Sequence, residues 1–301
     1  MKTILSLLLF CIGVPGISQQ VLPLWPNEIP NQRASDEKEK TTQTERIIWI
    51  ENVQNPLLEV YLPSKGNFKG KAVLIFPGGG YQGLAYDWEG TDIAKWLNSE
   101  GIAGIVVKYR LPVSKSIETR HLAPLQDAQR AIKTVRHHAE KWGITRIGIM
   151  GFSAGGHLAS TLGTHFDKSA YTPIDEIDQM SARPDFMALI YPVISFSSNQ
   201  HQGSQDNLLG ENQSKELINL FSNELRVTSE TPPAFLIHSS DDEAVPVENS
   251  LMFYQSLKNN NVPVEMHLYP FGGHGFSLAL DDTYLHSWTD RFIDWIRNLP
   301  K

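Results

Sequence analysis

The sequence predicts an α/β fold, a mostly parallel, doubly wound sheet with flanking helices and a small cap, and three observations lead there. Short apolar runs at 72–76, 104–109, 147–150, 186–191, 234–238 and 264–269 have the character of strands covered on both faces. Helical patterns at 92–99, 124–142, 155–163, 247–259 and 284–298 alternate with them; in the second, Leu125, Ala128, Ile132, Val135 and Ala139 recur at helical spacing. Alternation of this kind implies right-handed crossovers, and it puts chemistry at the carboxyl ends of the strands.

Taken in chain order, residues 1–18 read as a signal peptide. Lys2 precedes the apolar run 4–14, and Gly16 and Ser18 occupy the −3 and −1 positions of a cut before Gln19. The run is too short to span a bilayer, so a secreted or periplasmic protein with no membrane span is expected. The one cysteine, Cys11, falls inside this segment, which leaves the mature chain without a disulfide. Residues 19–45 are Pro-rich, then polar, and read as an extended arm over the surface. The catalytic domain is expected over 46–301, opening with two antiparallel strands at 46–50 and 57–62. Residues 165–184 and 195–231 break the alternation and are expected to form the cap, with a short helix at 214–223.

A chain of 301 residues suits one such domain, and a net charge of −7 spread along it carries no basic stripe for nucleic acid. No His-Glu-x-x-His or paired-cysteine spacing occurs, so neither a metal nor another cofactor is expected. Nothing in the sequence reports the oligomeric state.

Gly151-Phe152-Ser153-Ala154-Gly155-Gly156 follows a strand and opens a helix. A serine hydroxyl becomes a nucleophile only when exposed, oriented and paired with a base; a sharp strand-to-helix turn gives the exposure, and side chains at Gly151 or Gly155 would obstruct it. This is the pattern of the α/β-hydrolase fold. Phe76-Pro77-Gly78-Gly79-Gly80-Tyr81 ends an earlier strand, where such hydrolases place oxyanion-hole amides; Gly79, Gly80 and Ala154 are assigned that role. A triad on this fold runs Ser, acid, His. Phe271-Gly272-Gly273-His274-Gly275-Phe276 supplies the base from a glycine-flanked loop after the last strand. Asp241, Asp242 and Glu243, just past the strand at 234–238, all satisfy the place of the acid. His157 and His238, near these positions, read as supporting imidazoles. Tyr81, Trp88 and Tyr191, at or soon after strand ends, are candidates to bind substrate in an acyl or sugar pocket.

With these residues in place, the chain resembles the bacterial carbohydrate esterases of the α/β-hydrolase fold, the acetylxylan and feruloyl esterase-like proteins. The markers are LPLWP at 22–26, PGGGY at 77–81, VVKYRLP at 106–112, PLQDAQRAI at 124–132, GFSAGGHLA at 151–159, PPAFLIHSSDD at 232–242 and GGHGF at 272–276. The family pattern puts the acid four residues before a proline, here Pro246, and so selects Asp242 to stand with Ser153 and His274. Pro77 stands where related lipases carry a histidine. The resemblance implies a serine esterase that removes acetyl or other acyl groups from a polysaccharide such as xylan, through an acyl-enzyme. The alternatives are a feruloyl esterase, a serine peptidase on the same fold, or a glycan-binding protein without catalysis.

Overall fold

Strands begin earlier in the chain than local hydropathy predicts. The computed structural model describes residues 19–299, so the expected signal peptide lies outside the described residues. Regular structure starts at once with β1 (Gln19–Pro23), and β2 (Lys40–Gln43) and β3 (Ile48–Glu51) follow. β4 (Leu57–Tyr61) receives β1 as an antiparallel edge partner. The segment expected as an extended arm at 19–45 contributes a strand to each of two sheets, so regular structure begins well before residue 46. β1 alternates exposed and half-buried residues, and what makes it a strand is the unpaired edge of β4, which no local signal records.

β3 and β4, the strands expected at 46–50 and 57–62, do not pair with each other. β3 lies between β2 and the two-residue β6 (Leu84–Ala85) in a small sheet; β4 joins the large one. The rest of that sheet is β5 (Lys71–Phe76), β7 (Ala103–Lys108), β8 (Arg146–Phe152), β9 (Phe186–Ile190), β10 (Ala234–Ser239) and β11 (Val264–Tyr269), mutually parallel, in the eight-stranded order β1-β4-β7-β5-β8-β9-β10-β11. β5, β8, β9 and β10 are buried almost end to end, the consequence of helices on both faces.

A π-helical turn at Asp87–Thr91 runs into α1 (Asp92–Ser99), which leads to β7. α2 (Ala123–His137) has Pro124 in its first turn, where the missing N–H costs nothing, and is followed after His138 by α3 (Ala139–Trp142), which ends on Gly143 at φ 69°. α4 (Ala154–His165) springs from the end of β8. α5 (Gln202–Leu209) and α6 (Lys215–Leu220) belong to the insertion after β9, and α7 (Glu248–Asn259), α8 (Thr283–His286) and α9 (Trp288–Asn298) complete the helices. The helices expected at 124–142 and 284–298 are thus each two, broken at His138 and Ser287.

The chain goes from β5 to β7 on one side of β5, then through α2 to β8 on its other side. The strand order reverses at β5, and the crevice this opens lies at the carboxyl ends of β5 and β8. Of the two stretches expected as a cap, the one at 195–231 reaches the crevice, where Asn207 Nδ2 donates to the Gly80 carbonyl at 2.8 Å. The stretch at 165–184 packs on α2 instead, held by Gln126, Gln129 and the Arg130–Asp175 pair, and this corrects the expectation for it. Among the described residues no helix is long and apolar enough to cross a membrane.

Candidate active site

β5 and β8 are paired with Phe76 opposite Gly151, so the two loops that follow them meet. The approach is too close for side chains. A Cβ on Gly155 would stand 2.1 Å from the Phe76 carbonyl oxygen, and one on Gly151 would stand 2.2 Å from the Gly155 carbonyl oxygen. Ser153, at the turn between β8 and α4, is held at φ 52°, ψ −120°, a region costly for any residue with a Cβ. Its amide donates to the Ile190 carbonyl at 3.1 Å, and its own carbonyl accepts from Val193 at 3.0 Å, so β9 and the segment after it hold the strained turn in place.

His274 follows β11 and reaches across to this turn. Its Nε2 is 2.8 Å from Ser153 Oγ, and its Nδ1 is 2.6 Å from Asp242 Oδ2. Burial alone would raise the Asp242 carboxyl, but hydrogen bonds from His238 and His274 and from the Val245 amide outweigh it and hold it well below the usual carboxylate range. A carboxylate only accepts, so the proton of neutral His274 sits on Nδ1 and leaves Nε2 free to accept from the serine hydroxyl. The two neighbouring acids do other things. Asp241 Oδ1 accepts from the Gly273 amide at 2.8 Å and ties down the loop that carries His274, while Glu243 is exposed.

His238 is fully buried under Asp242. Its Nε2 faces two acceptors, Asp242 Oδ2 at 3.2 Å and the Val245 carbonyl at 3.0 Å, so that nitrogen carries the proton and Nδ1 accepts from Ser250 at 2.7 Å. His157, also buried, accepts from Tyr81 at Nδ1 and donates from Nε2 to the Phe221 carbonyl, each at 2.8 Å. Burial pushes His157 down to about 4, against the hydrogen bond to Phe221 that favours its charged form. An unfolded histidine titrates near about 6.5, so the unfolded chain binds the extra proton between these values; the stabilisation is complete above that range and is lost as pH falls towards 4. This one group removes about 2 kcal/mol of stability between pH 8 and pH 5. Urea unfolding of the native chain and of His157→Gln at both pH values measures it, and a pH dependence no weaker in the variant would refute the assignment.

Gly78 packs against Ser153, and Gly79 and Gly80 line the same cavity as its side chain. A Cβ on Gly78 would be 3.0 Å from Ser153 Cβ, and Gly79 and Gly80 have φ 134° and 62°. A cavity of about 320 Å³ is lined by Gly79, Gly80, Ser153 and His274 together with Ile47, Trp88, Glu89 and His201. Ala154 is the first residue of α4, where an amide has no partner within its own helix and the helix dipole favours negative charge.

The three aromatic candidates part company. Trp88 is half-buried and lines the cavity, its Nε1 donating to the Gly275 carbonyl at 2.8 Å. Tyr81 and Tyr191 do not line it, and this corrects the expectation for them: they are 1% and 0% exposed. The Tyr81 hydroxyl is committed to His157. Tyr191 supports from beneath, its ring edge-on to His274 at 4.9 Å and its hydroxyl donating to Glu89 at 2.8 Å while accepting from the Ser277 amide at 2.9 Å.

Two polar lining residues escape sequence reasoning. Glu89 Oε2 accepts from the Gly78 amide at 2.8 Å, so one buried carboxylate braces the glycine loop and Tyr191 together; burial pushes its carboxyl up, against those two hydrogen bonds and nearby His274. In sequence it is one more acid near the start of a helix. His201 caps α5, its Nδ1 accepting from the Ser204 amide at 3.1 Å, and its position in an insertion gives no periodic signal. Among the described residues no group of three or more His, Cys, Asp or Glu is arranged to hold a metal ion.

A strand-order reversal with a strained serine at the end of one strand, a histidine after the last strand and a glycine loop beside both defines an α/β hydrolase. The chain belongs to the BD-FAE family, which it matches over residues 58–257. It is 35% identical over 247 residues to an acetylxylan esterase of Xylanibacter ruminicola and 34% identical over 252 residues to endo-1,4-beta-xylanase B of Butyrivibrio fibrisolvens. Each alignment covers 80% of this chain but only 48% and 39% of the respective relative, so the chain spans about half the length of these curated relatives or less. The crystal structure of an acetyl ester-xyloside bifunctional hydrolase from Caldicellulosiruptor lactoaceticus is similar at 40% identity and TM-score 0.80, over 93% of this chain and 96% of that one.

Proposed function

We propose that the chain is a secreted serine carboxylic-ester hydrolase that removes acetyl groups from a polysaccharide such as xylan. The observation that carries the reading is the hydrogen-bonded line from Asp242 through His274 to Ser153, set at the carboxyl ends of the strands beside a glycine loop. Ser153 gives its proton to His274 Nε2 and attacks the ester carbonyl. Asp242 steadies the imidazolium that forms, and the amides of Gly79, Gly80 and Ala154 receive the negative charge on the carbonyl oxygen. His274 then protonates the departing sugar oxygen, and water, activated by the same imidazole, releases acetate from the acyl-enzyme. Loss of a single oxyanion donor in such a site costs on the order of 3 kcal/mol of transition-state stabilisation.

The acetyl group and the xylan-type substrate are supported by the acetylxylan esterase and acetyl ester-xyloside hydrolase relatives; secretion rests on residues 1–18 of the sequence alone. Acetate release from acetylated xylan by the chain starting at Gln19 tests the reading, with release expected. Turnover of small aryl acetates without release from xylan would discard that substrate, and failure on both would favour a glycan-binding protein.

A further inference from the structure

Beside the cavity that holds Ser153 and His274 lies a larger one, of about 670 Å³, lined by Glu45, Arg46, Ile47, Trp88, Gly275 and Asp281. The two cavities share Ile47, Trp88 and Gly275, so they are contiguous. Of its lining, Trp88 and Gly275 belong to the sequence-predicted site, while Glu45, Arg46 and Asp281 do not. Glu45 and Arg46 come from the turn between β2 and β3, and Asp281 from the segment that follows His274.

We propose that this second cavity is a glycan cleft, which seats a neutral pyranose chain on Trp88 so that its acyl substituent enters the smaller cavity. The inference rests on the ester-hydrolase reading and names the part of the substrate that reading leaves unplaced. A pyranose has apolar C–H faces and a rim of hydroxyls, and the lining matches both: an indole and Ile47 for the faces, an arginine and two carboxylates for the hydroxyls. Two carboxylates against one cation disfavour an anionic ligand such as a phosphorylated sugar. The volume is that of a site for a ligand of several rings rather than a single acyl group.

Trp88 is already locked in place. Its Nε1 donates to the Gly275 carbonyl, and its own carbonyl accepts from the Ser277 hydroxyl, so the indole is fixed to the loop that carries His274. Ligand binding on such a platform requires little ordering of the protein. A sugar ring on the indole is consequently positioned relative to Ser153 through the hydrogen bond from Trp88 to Gly275, the peptide link from Gly275 to His274, and the hydrogen bond between His274 and Ser153.

Calorimetric titration with unacetylated xylohexaose tests the cleft without any need for turnover. The native chain binds, and the double variant Arg46→Ala/Asp281→Ala, which alters exposed side chains only, binds about tenfold more weakly. The ratio of kcat/KM on acetylated xylo-oligosaccharides to that on an aryl acetate falls in the same variant through a higher KM. Xylohexaose also changes the tryptophan emission of the native chain, and Trp88→Phe loses that change. No binding by the native chain, or equal binding by the double variant, overturns the proposal. Acetate release without xylohexaose binding sinks the cleft alone, whereas xylohexaose binding by a chain that cleaves no ester keeps the cleft and sinks the hydrolase reading.

Discussion

Replacing Ser153 with alanine lowers kcat on an aryl acetate by about five to six orders of magnitude, the scale on which a triad fails when its nucleophile is lost. The size follows from how the groups are linked. His274 Nε2 has Ser153 Oγ as its hydrogen-bond partner at 2.8 Å, and in the proposed mechanism Asp242 acts only through His274, so the three would lose their effect together. Alanine keeps the Cβ and therefore the same strained φ of 52°, and the backbone bonds to Ile190 and Val193 do not involve the hydroxyl. Stability accordingly changes by less than about 1 kcal/mol, which circular dichroism and urea unfolding can establish before rates are compared. A folded Ser153→Ala chain that kept even one percent of the native rate would show that another group attacks the ester.

The second large effect concerns folding. Asp127→Ala destabilises the chain by about 3–5 kcal/mol, a large part of the total stability of a single domain. Asp127 and Arg110 are both fully buried. The carboxylate accepts from Arg110 Nε at 2.9 Å, Nη2 at 2.8 Å and the Arg110 amide at 2.8 Å, and from Trp25 Nε1 at 2.8 Å. Without it a guanidinium remains in the interior with, among the described residues, only the Pro30 carbonyl and Gln126 as hydrogen-bond acceptors, and Trp25 loses its acceptor. The urea midpoint should fall steeply in the folded fraction that can be purified. A loss under about 1 kcal/mol would mean that the guanidinium left behind reaches water or another acceptor.

This cluster also explains several of the sequence markers. Trp25, Arg110, Asp127 and Arg130 come from three separate motifs and meet at one buried point, where Arg130 also holds the Leu24 carbonyl at 2.9 Å. The motifs around them therefore report on how the first residues are anchored against α2, and not on the chemistry at Ser153.

Local signals made much of the fold and part of the site legible. Strands buried on both faces must be apolar throughout and helices must be amphipathic, so β5, β7, β8, β9 and β10 could be placed from composition along the chain. The turns of Ser153 and His274 were legible because glycines flank both: backbone comes within 2.1 Å of where a Cβ on Gly155 would stand, and Gly273 and Gly275 have φ 60° and 79°, where a side chain is strained. Asp242 was separable from Asp241 and Glu243 only through the family pattern, since three adjacent acids look alike until a fold buries one of them.

The sequence by itself determined the alternating strands and helices, the serine turn, the glycine loop and the histidine loop, because each is dictated by periodicity or by steric limits within a few residues. Tertiary structure alone decided that residues 19–45 supply strands, that Tyr81 and Tyr191 lie under the site, that Glu89 and His201 face it, and that the turn at Glu45 and Arg46 lines the cavity beside it. Burial, edge pairing and the meeting of distant loops depend on which surfaces the whole chain covers, and no stretch of a few residues carries that information.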